Sequence, residues 1–337
     1  MTTMNKKQWI WLIAAMALFI AIGAYSAYRT NLTAKKNADL LSSIQDMAFA
    51  ADAQAPFPYD DFVARIDIEG TITSTEIPTA ALTGKVFSKQ HILDTIDRLI
   101  DCPENVGILL YINSGGGEIQ ASDDIYLKLM DYKNETGRPV YAFFDGSGCS
   151  GAYYIAMAAD EIYANRNSIC VNIGVYIETY NLAELYDKLG VEEIMIRSSE
   201  NKGIGAMGQP WTDEQRAIYQ SIVDIYYDQF LDVVAAGRGM TRQQVKALDD
   251  GREMVAPQAL EAGFIDGMCR YEEYADQVLG YFDGVILYEE PSVKNPFMSV
   301  LDILYGRIED LIPRSDAQIL RRLTEEQDGI VVMAYAK

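Results

Sequence analysis

The chain has 337 residues, 49% hydrophobic and 23% charged, a balance that excludes a largely disordered chain and a polytopic membrane protein. Its 28 Lys and Arg face 49 Asp and Glu, a formal charge of −21. So acidic a surface repels phosphate backbones, and nucleic acid is not an expected partner. Four Cys are too few for a disulfide scaffold, and a lone His, His91, argues against the many hydrolytic and metal sites that use imidazole.

The length fits two domains, or one with appendages. Residues 9–28 carry no charge and follow Lys6 and Lys7; as a helix they would extend roughly 30 Å, enough to span a bilayer. Ala24 and Ser26 could precede a signal-peptide cut, but the usual apolar region is shorter, about 7–15 residues, so an uncleaved anchor is the expectation. Lys6 and Lys7 lie before the run and Arg29, Lys35 and Lys36 after it, so positive charge does not set its orientation. Residues 29–61 read as a helical stalk and an Ala/Pro linker.

From residue 62 the pattern changes. FVARIDIEGTI predicts a strand, 88–100 a helix, 106–113 a buried strand, 118–131 a helix, 139–145 a strand and 150–160 a helix. EIYAN and SICVNIGVYI follow, then a helix at 181–189 and a strand at 191–197. Thr212 and Gln215 form a capping box opening a helix with an apolar stripe of Ile218, Ile222, Ile225 and Val233, ending near Gly237–Gly239. Strands alternating with helices argue an α/β superhelix or a layered parallel sheet. After a strand near 284–290, residues 291–337 form a tail of about two amphipathic helices ending in GIVVMAYAK.

Three segments could carry chemistry. Asn113-Ser114-Gly115-Gly116-Gly117 lies between a buried strand and a helix, where glycines admit close backbone approach and leave N–H groups free; a tight turn is the plainer reading. Gly148-Cys149-Ser150-Gly151-Ala152 also joins a strand to a helix. It departs from the hydrolase elbow G-x-S-x-G at its last residue, and His91 precedes Ser150 by 59 residues where that family's His follows. A serine without histidine needs another base, and a desolvated lysine is the usual substitute. Lys202 is a candidate: the six residues after it carry no charge. Cys149 as nucleophile would need electropositive surroundings, so a structural role is expected for it.

Together YINSGGG, GCSGAYYIAMAADEIYAN, the IGV of NIGV, the ENK lysine and DGREMVAPQALEAGFID (250–266) resemble the signal peptide peptidase A family over about residues 62–285. The resemblance implies a Clp-protease/crotonase-like superhelix of repeated β-β-α units, with an N-terminal transmembrane helix and a C-terminal helical tail. It implies Ser150 as nucleophile, Lys202 as general base, and the N–H of Gly151 with that of Gly116 or Gly117 as oxyanion donors. Where the family pattern has G-S-I-G-V this chain has Val171-Asn172 before Ile173, and the lysine-orienting role passes to Asn172. Gly115 stands for the usual Pro and Ala152 for a second Gly.

The organisation implied is residues 1–8 in the cytoplasm, the anchor at 9–28, the stalk and linker at 29–61, an extracytoplasmic serine peptidase domain at 62–290 and a regulatory tail at 291–337. No cofactor or metal is implied. The implied partners are membrane lipid, hydrophobic peptides such as remnant signal peptides, and further copies of the chain in a ring with shared sites. For the tail's VVMAYA a final strand or packed tail is the plainer reading, and occupation of the groove by strand addition is the alternative. The competing readings are an inactive scaffold of the same fold and a crotonase-type acyl-CoA enzyme.

Overall fold

Two runs that are apolar on both faces organise the sheet. β2 (Asn105–Ser114) and β3 (Val140–Cys149) pair in parallel from Ile108↔Val140 to Ser114↔Gly148. Ile108, Leu109, Leu110, Ala142, Phe143 and Phe144 are all fully buried, as a parallel sheet covered on both sides requires. The computed structural model describes residues 56–74, 87–248 and 250–289, within a unit spanning Pro56–Val293.

β1 (Phe62–Glu69) lies beside β2, and β8 (Ile286–Glu289) beside β1. On the other side, β4 (Glu161–Ala164) and β5 (Ile169–Val171) pair in succession along β3. β7 (Gly267–Met268) extends β4, and β6 (Glu253–Val255) closes β5 as the antiparallel member. The α/β expectation holds. Alternation along β1 divides its side chains: Phe62, Ala64, Ile66 and Ile68 join one core, whereas Val63 joins a second with Leu109, Tyr141 and Phe143.

The first core is roofed by α1 (Lys89–Ile100), α2 (Ile119–Thr136) and α3 (Gly151–Ala156). In α1 the Ser88 hydroxyl accepts the His91 N–H, and Ile92, Thr95, Ile96 and Leu99 form the buried stripe, so the lone histidine sits in a helix start. α8 (Tyr271–Leu279) covers the second core through Tyr274, Ala275 and Val278. α4 (Ala183–Leu189), α5 (Asp213–Gly237), α6 (Arg242–Leu248) and α7 (Ala256–Glu261) complete the helices described.

Several boundaries differ from the sequence expectation. α2 runs on to Thr136, stopped by Gly137 in the left-handed region, and the helix expected at 150–160 is only Gly151–Ala156. Residues 191–197 are not a strand. Alternating apolar residues are present there, but no described segment pairs with them, and a strand without a partner has no ladder to hold it. The Thr212–Gln215 capping box is present, yet Ile222 and Ile225 of the expected stripe are exposed; α5 packs through Phe230, Leu231 and Val234 instead. Among the described residues no helix is long and apolar enough to cross a membrane. The apolar run at 9–28, most of the stalk and linker, and the tail at 291–337 lie outside them.

One ion pair, with the Arg238 side chain buried and the Asp266 carboxylate partly exposed, ties the end of α5 to the segment entering β7. Arg238 meets Asp266 in bidentate fashion at 2.7 and 3.0 Å, and the Ile162 N–H donates to the same carboxylate at 2.8 Å. Burial alone would raise the Asp266 carboxyl, but the Arg238 and Ile162 hydrogen bonds and the guanidinium charge leave it below its ordinary value of 3.8. A lowered carboxylate stabilises the fold above its unfolded value and loses that contribution as pH falls through the folded one. Asp266→Asn should therefore cost about 1 kcal/mol at pH 7, the partial exposure of the carboxylate moderating the loss. In urea unfolding the gap from the parent should be smaller at pH 3; an equal gap at both pH values would count against this ion pair as the cause.

Candidate active site

The end of β3 turns directly into α3, and Ser150 occupies the corner. Its φ of 52° and ψ of −121° are a combination that a residue with a side chain rarely adopts. Two backbone bonds hold it: the Ser150 N–H donates to Val171 O at 2.8 Å, and its carbonyl accepts the Tyr154 N–H at 2.9 Å. The side chain does not cap the helix it precedes. Among the described residues Ser150 Oγ has no hydrogen-bond partner, so it projects from a strained strand-to-helix corner as a nucleophile elbow would.

The glycine loop after β2 lies against this corner. A Cβ on Gly116 would sit 2.7 Å from Gly151 N and 2.8 Å from Ser150 Cβ, so only glycine fits. Gly151 is equally confined, since a Cβ there would meet Ser122 Oγ at 2.3 Å and Gly117 N at 3.3 Å. The replacement of a second glycine by Ala152 is absorbed in the core, where Ala152 is fully buried.

Hydrogen bonding separates two N–H groups that spacing alone leaves equivalent. The Gly116 N–H donates to Ser114 Oγ at 3.1 Å, while Ser114 Oγ donates to Gly70 O at 2.5 Å. On the other side Ile72 bridges the loop: its N–H donates to Gly116 O at 3.0 Å and its carbonyl accepts the Glu118 N–H at 2.8 Å. In such a parallel bridge the N–H of the intervening residue points away from the partner chain. The Gly117 N–H has no acceptor among the described residues. Gly151 is the first residue of α3, whose N–H has no intrahelical acceptor. Both donors lie beside the corner that bears Ser150. Ser114 and Ile72 were not identified as site residues from sequence: Ser114 lies within the glycine motif, but nothing in the spacing shows its hydroxyl accepting from Gly116, and Ile72 precedes Gly117 by 45 residues.

Val171 and Asn172 continue the frame. Val171 is buried with φ of 76°, an outlier for a β-branched residue, and Asn172 has φ of 55°. The Asn172 amide donates to Gly251 O at 2.7 Å, which turns its carbonyl oxygen away from Gly251. Cys149 is buried with its thiol donating to Ile169 O at 3.4 Å; burial is the largest influence raising it, which accords with the structural role expected for it. Among the described residues no three His, Cys, Asp or Glu side chains could hold a metal ion.

Lys202 is not brought to Ser150 by a hydrogen bond within the chain. It is exposed, in a turn whose N–H donates to Ser199 O at 3.2 Å. Its ammonium has neither ion pair nor hydrogen bond among the described residues. The turn is braced from α5: Tyr219 OH donates to Ile204 O at 3.2 Å, and the Tyr219 ring stacks on Trp211 at 4.8 Å. In the segment that precedes it, Tyr176, Leu189, Ile194 and Ile196 are 83, 67, 77 and 98% exposed.

Residues 132–278 match the family described as Peptidase family S49. A Synechocystis protein named as a protease is 33% identical over 205 residues, covering 60% of this chain and 73% of its own. An Enterococcus faecium protein named as signal peptide peptidase SppA is 30% identical over 216 residues, 64% of this chain and 62% of its own. Among solved structures, a ClpP1 mutant from Listeria monocytogenes aligns with a TM-score of 0.40 and 15% identity, covering 62% of this chain and 92% of that one. The family match spans both the Ser150 corner and the Lys202 turn. The chain belongs to peptidase family S49, the signal peptide peptidase A family of serine peptidases.

The contact of Gly116 with the elbow can be tested against its neighbour. Gly116→Ala should lower the thermal unfolding midpoint by about 2–12 °C, since overpacking typically costs about 1–3 kcal/mol and a domain of this size loses about 2–4 °C per kcal/mol. Gly115→Ala, with nothing within 4 Å of its added carbon, should leave the midpoint near the parental one. Equal shifts for the two would contradict the packing described.

Proposed function

We propose that the chain is a membrane-anchored serine endopeptidase that cleaves hydrophobic peptides, including signal-peptide remnants left in the membrane after export. The observation that carries this reading is the strained Ser150 corner with the Gly117 and Gly151 N–H groups beside it. Ser150 Oγ attacks the scissile carbonyl carbon while neutral Lys202 Nζ takes the hydroxyl proton. The carbonyl electron pair moves onto oxygen, where the two N–H groups stabilise it; losing one such donor typically costs ~10²–10³ in rate. Collapse expels the amine, which takes the proton from Lys202. Water then attacks the acyl-enzyme by the same route in reverse, releasing a carboxylic acid and free Ser150.

Lys202 acts on Ser150 of an adjacent copy. In support, it stands exposed on a segment rich in exposed apolar side chains. Covering that segment with another copy would exclude water from the lysine and give it the desolvation a neutral base needs. The Asn172 carbonyl oxygen, turned from Gly251, is available to orient the ammonium. Residues 9–28 supply the anchor, and the catalytic domain lies outside the cytoplasm.

Ser150→Ala and Lys202→Ala should each abolish hydrolysis of an apolar peptide by the detergent-solubilised full chain. Co-expressed in equal amounts, they should recover about a quarter of parental activity, because a head-to-tail ring pairs an intact serine with an intact lysine at that frequency. Activity in either single variant would remove the dyad. Inactive single variants that never complement would place both residues in one copy.

A further inference from the structure

The three segments of the site each open into a helix: the glycine loop into α2, Ser150 into α3, and the lysine turn into α5. One side chain joins all three. The Tyr154 hydroxyl, on α3, donates to Asp123 Oδ1 of α2 at 2.6 Å and accepts from Gln229 Nε2 of α5 at 2.9 Å. Its ring meets Tyr126 of α2 edge-on at 5.4 Å and Phe230 of α5 at 5.1 Å. Each neighbouring helix is thus held by one hydrogen bond and one aromatic contact from the same residue.

The geometry of α5 gives that junction leverage. Before Phe230 its sole buried residue is Gln215, in the cap, and the remaining buried residues are Phe230, Leu231 and Val234. The helix is therefore gripped near its C-terminal end and projects its N-terminal end outward. Gln229 lies 17 residues from Thr212, a span of about 25 Å at 1.5 Å per residue, so a tilt of about 5° at the junction moves the other end by about 2 Å. The lysine turn is braced to that end through Tyr219 and Trp211.

We propose that Tyr154 is a positioning residue for the proposed peptidase reaction: it fixes α5 against the helices of the glycine loop and Ser150, and so sets the reach of Lys202. The inference rests on the Ser150–Lys202 reading. It holds whether Lys202 serves its own chain or a neighbour, because in either case α5 determines where the lysine turn stands.

The test is steady-state hydrolysis of an apolar peptide by the full chain carrying Tyr154→Phe, which keeps the ring and removes the hydroxyl. A catalytic group displaced by about 1 Å can cost 10²-fold, so kcat should fall roughly 10–100-fold. KM should stay within about twofold, as expected when substrate binding is untouched. Gln229→Ala should reproduce the loss, and the double variant should lose no more than the worse single one, since both cut one connection. Asp123→Asn, whose amide oxygen still accepts the hydroxyl, should retain most of the activity that Asp123→Ala loses. Should Tyr154→Phe misfold, Gln229→Ala, at a half-buried site, decides the matter. Parental kcat in Tyr154→Phe or Gln229→Ala, a loss confined to KM, or full additivity would overturn the inference. Activity surviving Lys202→Ala would instead remove the reading on which it rests.

Discussion

Ser150 is held where backbone sterics oppose any side chain, at a cost of order 1–3 kcal/mol. Its N–H is bound to the carbonyl of Val171, itself at φ 76°, so two strained residues share one 2.8 Å hydrogen bond. Neither conformation is stable locally. Both persist because β3 is fixed on one side by β2 and on the other by β4 and then β5, with fully buried side chains on either face. Buried side chains each contribute about 1.5–3 kcal/mol, so the sheet can sustain the corner many times over. The glycine loop follows from the same constraint. With the corner placed, the space beside Gly151 admits only a backbone without a Cβ, and Gly116 fills it.

What could be read from the sequence was whatever local pattern determines. β2 and β3 carry the apolar runs Ile108–Ile112 and Val140–Phe144, and both were legible as strands. The Thr212–Gln215 cap depends on two residues three apart and was equally legible. The glycine and serine motifs announced a strand-to-helix turn because so few residue types tolerate one. The choice between Gly116 and Gly117 was not legible, since it depends on Ser114 Oγ and on Ile72, brought in from β1's far end. Residues 191–197 and the stripe of Ile222 and Ile225 failed for a related reason. Periodicity identifies an apolar face but not what covers it, and here nothing among the described residues does.

Charge sharpens the contrast between Lys202 and other cations of the chain. With 49 acidic side chains for 28 basic ones, carboxylates are plentiful, and Lys89, Lys128 and Lys133 are each paired within 2.8 Å to Asp124, Asp97 and Asp160. At Lys128 the hydrogen bond to Asp97 raises the ammonium above its ordinary value, which suits a structural cation and would hinder a base. Lys202 has no carboxylate within ion-pair distance among the described residues, although Glu200 is two residues away.

The proposed division of labour between copies follows from how differently the two halves of the site are supported. Ser150 and the Gly117 and Gly151 donors are rooted in the buried sheet and need no partner to form. Lys202 stands in an exposed turn braced to the outer end of α5, after a segment with apolar side chains that solvent reaches. Burying Tyr176, Leu189, Ile194 and Ile196 at about 1.5–3 kcal/mol each would yield about 6–12 kcal/mol per copy. Association costs of order 4–15 kcal/mol, so these four residues supply a contribution of the size that assembly requires. In that reading the covering that stabilises the assembly also removes water from the lysine, and a lone copy keeps a formed nucleophile without an effective base. Tyr154 then matters more than its place in the core implies. The same side chain that packs α3 against α2 also aims α5, and with it the base.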